Sequence, residues 1–452
     1  MSVSRALIET LYSRKMQKVM VEVAPGKLEA VLKAVSSQGL DKPSEAVSRI
    51  YQAFNLPQPP MPSFLSNVPV PPMVPPLPFI RRTSTRFGMF NLLASASIIS
   101  ALNRIPGVVL ISPDYEVSCM QMASDLKPPV PQKNWRTSEE VHKEMGIDKA
   151  WEKGYKGKGI KVAVVDTDAG LPPHPSMNRS GMTVLPFQIF DEVGHGSWCC
   201  HAVNGPKWKH PQSGIEMYGA APEAQVYAVK ALGYGIGTGS VSDIIAGIDA
   251  AMDWKPDIVS MSLGAEVQTG EAEDAIARAV NKASQTVLFC VAAGNSGDNG
   301  PNTIMTPGIA SGALTVGSWS ITDKARAHFS GIGPTVDGVI KPDVLGCGGG
   351  TAKAPDMLKG EADENIYGAC PLFSSLDSVE DKTNDMATPI AGTSMATPRI
   401  SGLLALVSQR ILEETKAKPT MAQIKNTMAQ GAPKTNNVGW GLMTWGRMFI
   451  GG

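Results

Sequence analysis

The chain has 452 residues, 43% of them hydrophobic, enough for two or three domains and at least one large core. Lys plus Arg and Asp plus Glu balance at 41 each, so the net charge is zero and nothing points to a nucleic-acid or membrane partner. No apolar run is long enough for a membrane span, the N-terminal stretch MSVSRALIETLYSRKMQKVMVEV lacks a signal-peptide core, and six scattered cysteines form no disulfide framework. These features lead us to expect a cytoplasmic, reducing setting, with a Cys347–Cys370 bridge as the alternative in an oxidising one.

In chain order, KVMVEVAP reads as a strand and GKLEAVLKAVSSQG as an amphipathic helix closed by glycine. Residues 56–79 are proline-dense, which predicts a linker or extended arm. RFGMFNLLA (strand), SASIISALNRIPG (helix) and VVLISPDYEV (strand) follow, so residues 1–118 are expected to form a small α+β unit interrupted by the proline-rich segment. Residues 119–134 are polar and proline-bearing, a boundary, and 135–452 form the main domain. Its runs KVAVVD, AQVYAVKAL, DIVSMSLG, TVLFCVAAGN and GALTVGS are apolar and β-branched, as in strands buried on both faces. They alternate with helical patterns such as SVSDIIAGIDAAMDW and GEAEDAIARAVNKASQ, which predicts a doubly wound α/β domain with a mostly parallel sheet. Ligands bind such sheets at the carboxyl ends of the strands.

Several polar residues sit where that architecture aims side chains. Asp166 ends VAVV, Asn295 ends VAAGN, and His195 and Ser394 each lie in a glycine-flanked turn leading into a helical pattern. A serine hydroxyl becomes nucleophilic when an imidazole takes its proton, and a buried carboxylate fixes the imidazole tautomer. Singly, each of these residues is explained as a turn, a cap or a packing group.

Together, VAVVDTD, GHGS, SMSLG, VAAGN, TPG and GTSMATP resemble, in that order, the subtilisin-like serine peptidases. The resemblance covers about residues 135–448 and implies a serine endopeptidase acting on polypeptides through an acyl-enzyme, with no required cofactor. It implies Asp166 as orienting carboxylate, His195 as general base and acid, Ser394 as nucleophile and Asn295 as oxyanion donor. It further implies that Ser262, Leu263, Gly264 and Gly237, Thr238, Gly239 flank an extended substrate, that Ala292, Ala293 and Gly294 line the main specificity pocket, and that Pro307 follows a cis peptide bond. NRIPGVVLISPDYEV resembles the end of an inhibitory propeptide, which implies a ferredoxin-like prodomain, an intramolecular inhibitor cut off by self-processing around residues 117–134.

Three departures from the family pattern stand out. Asp168 replaces the glycine of DTG; it could face away or perturb the base, and since it shares the face of Asp166 only if the strand continues, facing away is the expectation. GSWCCH replaces GTHVAG, with His195 and Cys199 one helical turn apart; altered packing is the expectation and a zinc site lacks a full ligand set. An insertion at 344–388 is acidic and glycine-rich and is expected to be a flexible, solvated loop, with structural calcium at Asp363, Glu364 or Asp377 as a further use. The first two departures keep a second reading open, a catalytically inactive subtilisin-like module that binds peptides or serves in assembly.

One local puzzle is Pro398, inside a helix that Ile400, Leu403, Leu404, Val407 and Ile411 predict to start near Ser394. A missing donor costs least in the first turn. An earlier MATP at 386–389 has no serine and no periodic run after it, so it reads as extended chain.

Overall fold

The computed structural model describes residues 2–3, 17–37, 82–94, 96–119, 134–170, 179–186, 188–211, 213–233, 235–266, 269–356, 361–372, 374–376 and 386–449. They fall into two compact units, Met1–Asp114 and Tyr115–Gly452. The proline-rich stretch and most of the expected processing region lie outside the described residues.

In the first unit the described elements from Gln17 onward are strand Gln17–Val23, helix Leu28–Ser37, strands Thr83–Ser84 and Met89–Ala94, helix Ala96–Leu102 and strand Val108–Pro113. That β-α-β-β-α-β order is the order of a split βαβ unit. Gln17–Val23 is central, antiparallel to Met89–Ala94 on one side and to Val108–Pro113 on the other. Alternate residues Val19, Val21 and Val23 turn to one face, where they share a core with Val31, Val35, Ile99 and Leu102 from the two helices.

The second unit is built on a sheet whose strands run in the order Ala325–Arg326, Leu314–Ser320, Leu288–Ala292, Ile258–Met261, Lys161–Asp166, Gln225–Lys230, Arg179–Thr183, with Val344–Cys347 also paired to Leu314–Ser320. Every pairing is parallel except that of Ala325–Arg326. Both faces are covered, which is why these strands read as unbroken apolar runs. Val162, Val164, Ile258, Leu288, Cys290, Leu314, Val316 and Val344 share one core with Ile400, Leu403, Leu404 and Val407 of the helix Thr393–Thr415. On the opposite face the helix Val241–Asp253 comes so close that a Cβ on Gly247 would lie 3.0 Å from the Val165 side chain. That helix starts with a reciprocal cap, Ser240 accepting from the Asp243 amide while the Asp243 carboxylate accepts from the Ser240 amide.

Where it is described, the insertion corrects the expectation of a solvated loop. Its strand Asn365–Ala369 is buried throughout, antiparallel to Ala387–Ile390 and parallel to Trp135–Arg136. The earlier MATP copy supplies most of that Ala387–Ile390 strand, extended as expected. No disulfide joins Cys347 and Cys370. No described helix is long and apolar enough to cross a membrane.

Candidate active site

Asp166 closes the strand Lys161–Asp166 at its carboxyl end, and His195 opens the helix His195–Asn204. Their side chains are fully buried and the His195 Nδ1 lies 2.8 Å from Asp166 Oδ1. The same carboxylate oxygen accepts a 2.7 Å bond from the Thr167 amide, so the carboxylate is oriented before the imidazole meets it. The His195 turn is held by a residue the sequence reading missed. Asp191 accepts from the Gly194 amide and the Thr167 hydroxyl on one oxygen and from the Ser197 amide on the other, each at 2.8 Å. Its position four residues before His195, at the mouth of a helix, is the signal that anion-to-helix-start capping would have given. Gly194 adopts φ +91°, and a Cβ there would fall 2.5 Å from Ser374 Oγ in the insertion, so only glycine fits. Lys230, fully buried and in register with Asp166 on the next strand, donates to the Thr167 carbonyl at 2.9 Å and to Glu192 at 3.0 Å.

Ser394 is the second residue of its helix. Its hydroxyl donates to the Ser262 carbonyl at 2.9 Å, and the Ser262 hydroxyl donates back to the Ser394 carbonyl at 2.9 Å. Pro398 makes the second bond available. An α-helix closes bonds from residue i to the carbonyl of i−4, and Pro398, four residues after Ser394, has no N–H to give. The carbonyl of the serine is thereby released from the helix ladder and tied to a neighbouring strand connection. Cys199 Sγ lies 3.7 Å from that carbonyl and 3.9 Å from His195 Nδ1, which places one small, buried side chain against both helix starts.

Asn295 follows the strand Leu288–Ala292. Its Oδ1 accepts from the Thr393 amide at 3.0 Å and the Thr393 hydroxyl at 2.9 Å, while its Nδ2 is buried with no partner among the described residues. An amide held by its oxygen, with its donor uncommitted beside the serine, has the arrangement an oxyanion needs. Gly294, with φ +104°, donates to the same Thr393 hydroxyl at 3.3 Å, and a Cβ on it would be 2.7 Å from the Met305 side chain. Ala292 and Ala293 are fully buried, and both backbone groups of Ala293 are spent, on the Val316 carbonyl and the Met305 amide. The Thr306–Pro307 bond is cis.

The two expected substrate-flanking stretches form the strands Thr238–Ser240 and Leu263–Gly264, and a segment of the chain itself lies between them. Glu116–Cys119 is antiparallel to both, with Ser118 opposite Thr238 on one side and opposite Gly264 on the other. The Cys119 amide donates to the Gly237 carbonyl at 3.0 Å, and the Val241 amide donates to the Tyr115 carbonyl at 3.0 Å.

The departures from the family pattern take on definite structure. The strand ends at Asp166, and the Asp168 carboxylate is buried on Arg179 and the Gly170 amide. Trp198 is fully buried, its indole N–H donates to the Thr388 carbonyl at 3.3 Å, and the Arg399 guanidinium stacks 4.7 Å over its ring. A Cβ on Gly368 would strike that indole at 2.0 Å, so the insertion strand fits the tryptophan only as glycine. The Ser375 and Leu376 amides of the insertion donate to the carbonyls of Glu192 and Val193, just before His195.

Asp166, His195 and Cys199 offer metal-ligand atoms within 4.8 Å of one another, fewer than the four ligands of a structural zinc site, and the imidazole Nδ1 is already on Asp166. Burial pushes the Cys199 thiol well above its ordinary pKa. Two of the calcium candidates are engaged by protein donors. Glu364 accepts from Arg136 and from the Ile321 and Thr322 amides, and Asp363 from the Thr351 amide and hydroxyl. Asp377 lies outside the described residues.

Comparison with known proteins places the chain in a family. The subtilase family pattern matches residues 157–441. The serine protease AprX of Bacillus subtilis is 35% identical over 277 residues, 56% of this chain and 58% of its own length. M-protease of Shouchella clausii is 30% identical over 350 residues, 76% of this chain and 75% of its own length. The major intracellular serine protease of Bacillus subtilis is 32% identical over 285 residues, 61% of this chain and 76% of its own length. The chain belongs to the subtilase family of serine-type endopeptidases.

Proposed function

We propose that the chain hydrolyses peptide bonds through an acyl-enzyme on Ser394 and is made as a zymogen whose N-terminal part inhibits it until it cuts itself. The observation that carries the reading is the strand Glu116–Cys119, bonded on both edges by the strands expected to hold a substrate. An extended peptide gains affinity from such main-chain pairing whatever its sequence. The chain before the peptidase fold therefore occupies the cleft as a substrate would, and the cut falls beyond Cys119.

In the reaction, the Ser394 hydroxyl turns from the Ser262 carbonyl to His195, which takes its proton as the oxygen attacks the substrate carbonyl. Asp166 on Nδ1 fixes the tautomer and stabilises the imidazolium. The Asn295 Nδ2 and the Ser394 amide, which has no intrahelical acceptor in the first turn, receive the oxyanion. His195 then passes the proton to the leaving amine. Water attacks the acyl-enzyme by the same path and the serine is regenerated.

Intact mass of purified wild type beside Ser394→Ala tests the whole reading. Wild type alone should be shorter by roughly 120–130 residues, a prodomain-sized unit, and should label with a serine-directed phosphonate. Full-length, unlabelled wild type sinks it in favour of an inactive peptide-binding module.

A further inference from the structure

We propose that Arg179 and Asp168 are positioning residues for His195, their buried ion pair fixing the first turn of the His195 helix against the turn that carries Asp166. The proposal rests on the hydrolase reading above and names residues which that reading does not use.

The guanidinium spans two elements. Its Nε donates to Asp168 Oδ2 and its Nη2 donates to Ser197 Oγ at 3.2 Å, in the helix that His195 opens. The other Asp168 oxygen accepts from the Gly170 amide at 2.8 Å. Both side chains are nearly sealed, with relative exposures of 2% for Arg179 and 1% for Asp168. The surfaces they join are in contact, since a Cβ on Gly196 would lie 2.4 Å from the Asp168 amide nitrogen. Asp191 completes the surroundings, bonded to the Ser197 amide and to Thr167, and buried Lys230 holds the Thr167 carbonyl on the other side.

A buried ion pair is a weak source of stability, because desolvation offsets most of the attraction. What this pair supplies is a fixed distance. Arginine's planar fork reaches a carboxylate and a hydroxyl at once, whereas a lysine ammonium in the same place is a single point. With the guanidinium in place, the helix cannot slide along the Asp166 turn without breaking a bond. A slip of about 1 Å in a catalytic group costs on the order of 10² in rate.

The test uses wild type, Arg179→Lys and Ser197→Ala, the last leaving the ion pair intact and removing only its link to the helix. Active sites are counted with the phosphonate, kcat and KM are measured on a peptide substrate, and folding is followed by urea denaturation. We expect Arg179→Lys to lose about 10–100-fold in kcat with KM within about threefold, and Ser197→Ala to lose about 3–10-fold with the same split. Phosphonate labelling rates should fall in parallel. Reduced stability with wild-type kcat per active site, or no change at all, overturns the proposal. If Arg179→Lys does not fold, Ser197→Ala decides, and an unchanged kcat there overturns it. A wild type that neither turns over nor labels sinks the hydrolase reading and this proposal together, whereas an active wild type with unaffected variants sinks only this one.

Discussion

The two helices that deliver chemistry to the cleft begin in different ways. At Ser394 the start is made from small residues and main chain: Thr393 holds Asn295, Ser262 holds the serine carbonyl, and Pro398 frees that carbonyl. At His195 the start is held by large or charged side chains. Asp191, the Asp168–Arg179 pair and Trp198, the last against the insertion, all converge on one turn. The serine end is tied to partners 98 and 132 residues away, whereas the histidine end is tied chiefly to the nearby stretch from Asp168 to Asp191 and reaches the insertion through Trp198. The serine end thus rests on small neutral groups, and the histidine end on charges whose removal leaves a buried partner uncompensated.

Substitutions on either side sharpen that contrast. Trp198→Ala should cost about 3–5 kcal/mol by emptying a filled volume beneath the insertion, read by urea denaturation. A cost below about 1 kcal/mol would mean that the insertion does not depend on it. Asn295→Ala should lower kcat by roughly 10²–10³, the loss known for the matching asparagine of subtilisin, and cost about 1–3 kcal/mol by taking the acceptor from the Thr393 amide and hydroxyl. Ser262→Ala should cost about 1–3 kcal/mol, because the Ser394 carbonyl then keeps only the weak Cys199 thiol as a donor. Wild-type stability in that variant would show that Pro398 leaves nothing to be satisfied.

The smallest effect lies behind the oxyanion side. Burial opposes the charged form of His328, but hydrogen bonds to Asp363 and Asp298 outweigh it and raise its pKa. Its folded value lies above the unfolded one near 6.5, so the contribution is full below that pH and is lost as pH rises through the folded value. Discounted for the half-exposed Asp298, it is about 0.5 kcal/mol. Wild type should lose that margin between pH 6 and 9 and His328→Gln should not; parallel thermal midpoints across that range would remove His328 from the account.

The same contrast explains what could be read from the chain. Strands buried on both faces announce themselves as apolar runs, and GTSMATP encodes a helix start within seven residues. Asp166 and His195 were legible because strand ends and glycine-flanked turns aim side chains at the cleft. Arg179 was not, because NRSGM carries no periodicity and its meaning depends on a carboxylate eleven residues earlier. The insertion misled because its acidity suggested solvent, whereas Glu364 and Asp363 spend their oxygens on backbone amides and Trp198 seals the strand beside them. Composition reports which groups are polar; it does not report where their partners are.

The segment Glu116–Cys119 closes two open seams at once. Under the zymogen reading proposed above, its departure leaves the strands on either side each with a row of unsatisfied amides and carbonyls facing a slot one chain wide. Any unfolded polypeptide of sufficient length can then be zipped into that slot before its side chains are consulted. On that reading, the danger such a molecule poses to its neighbours is set less by what it prefers to cut than by how long its own tether stays in place.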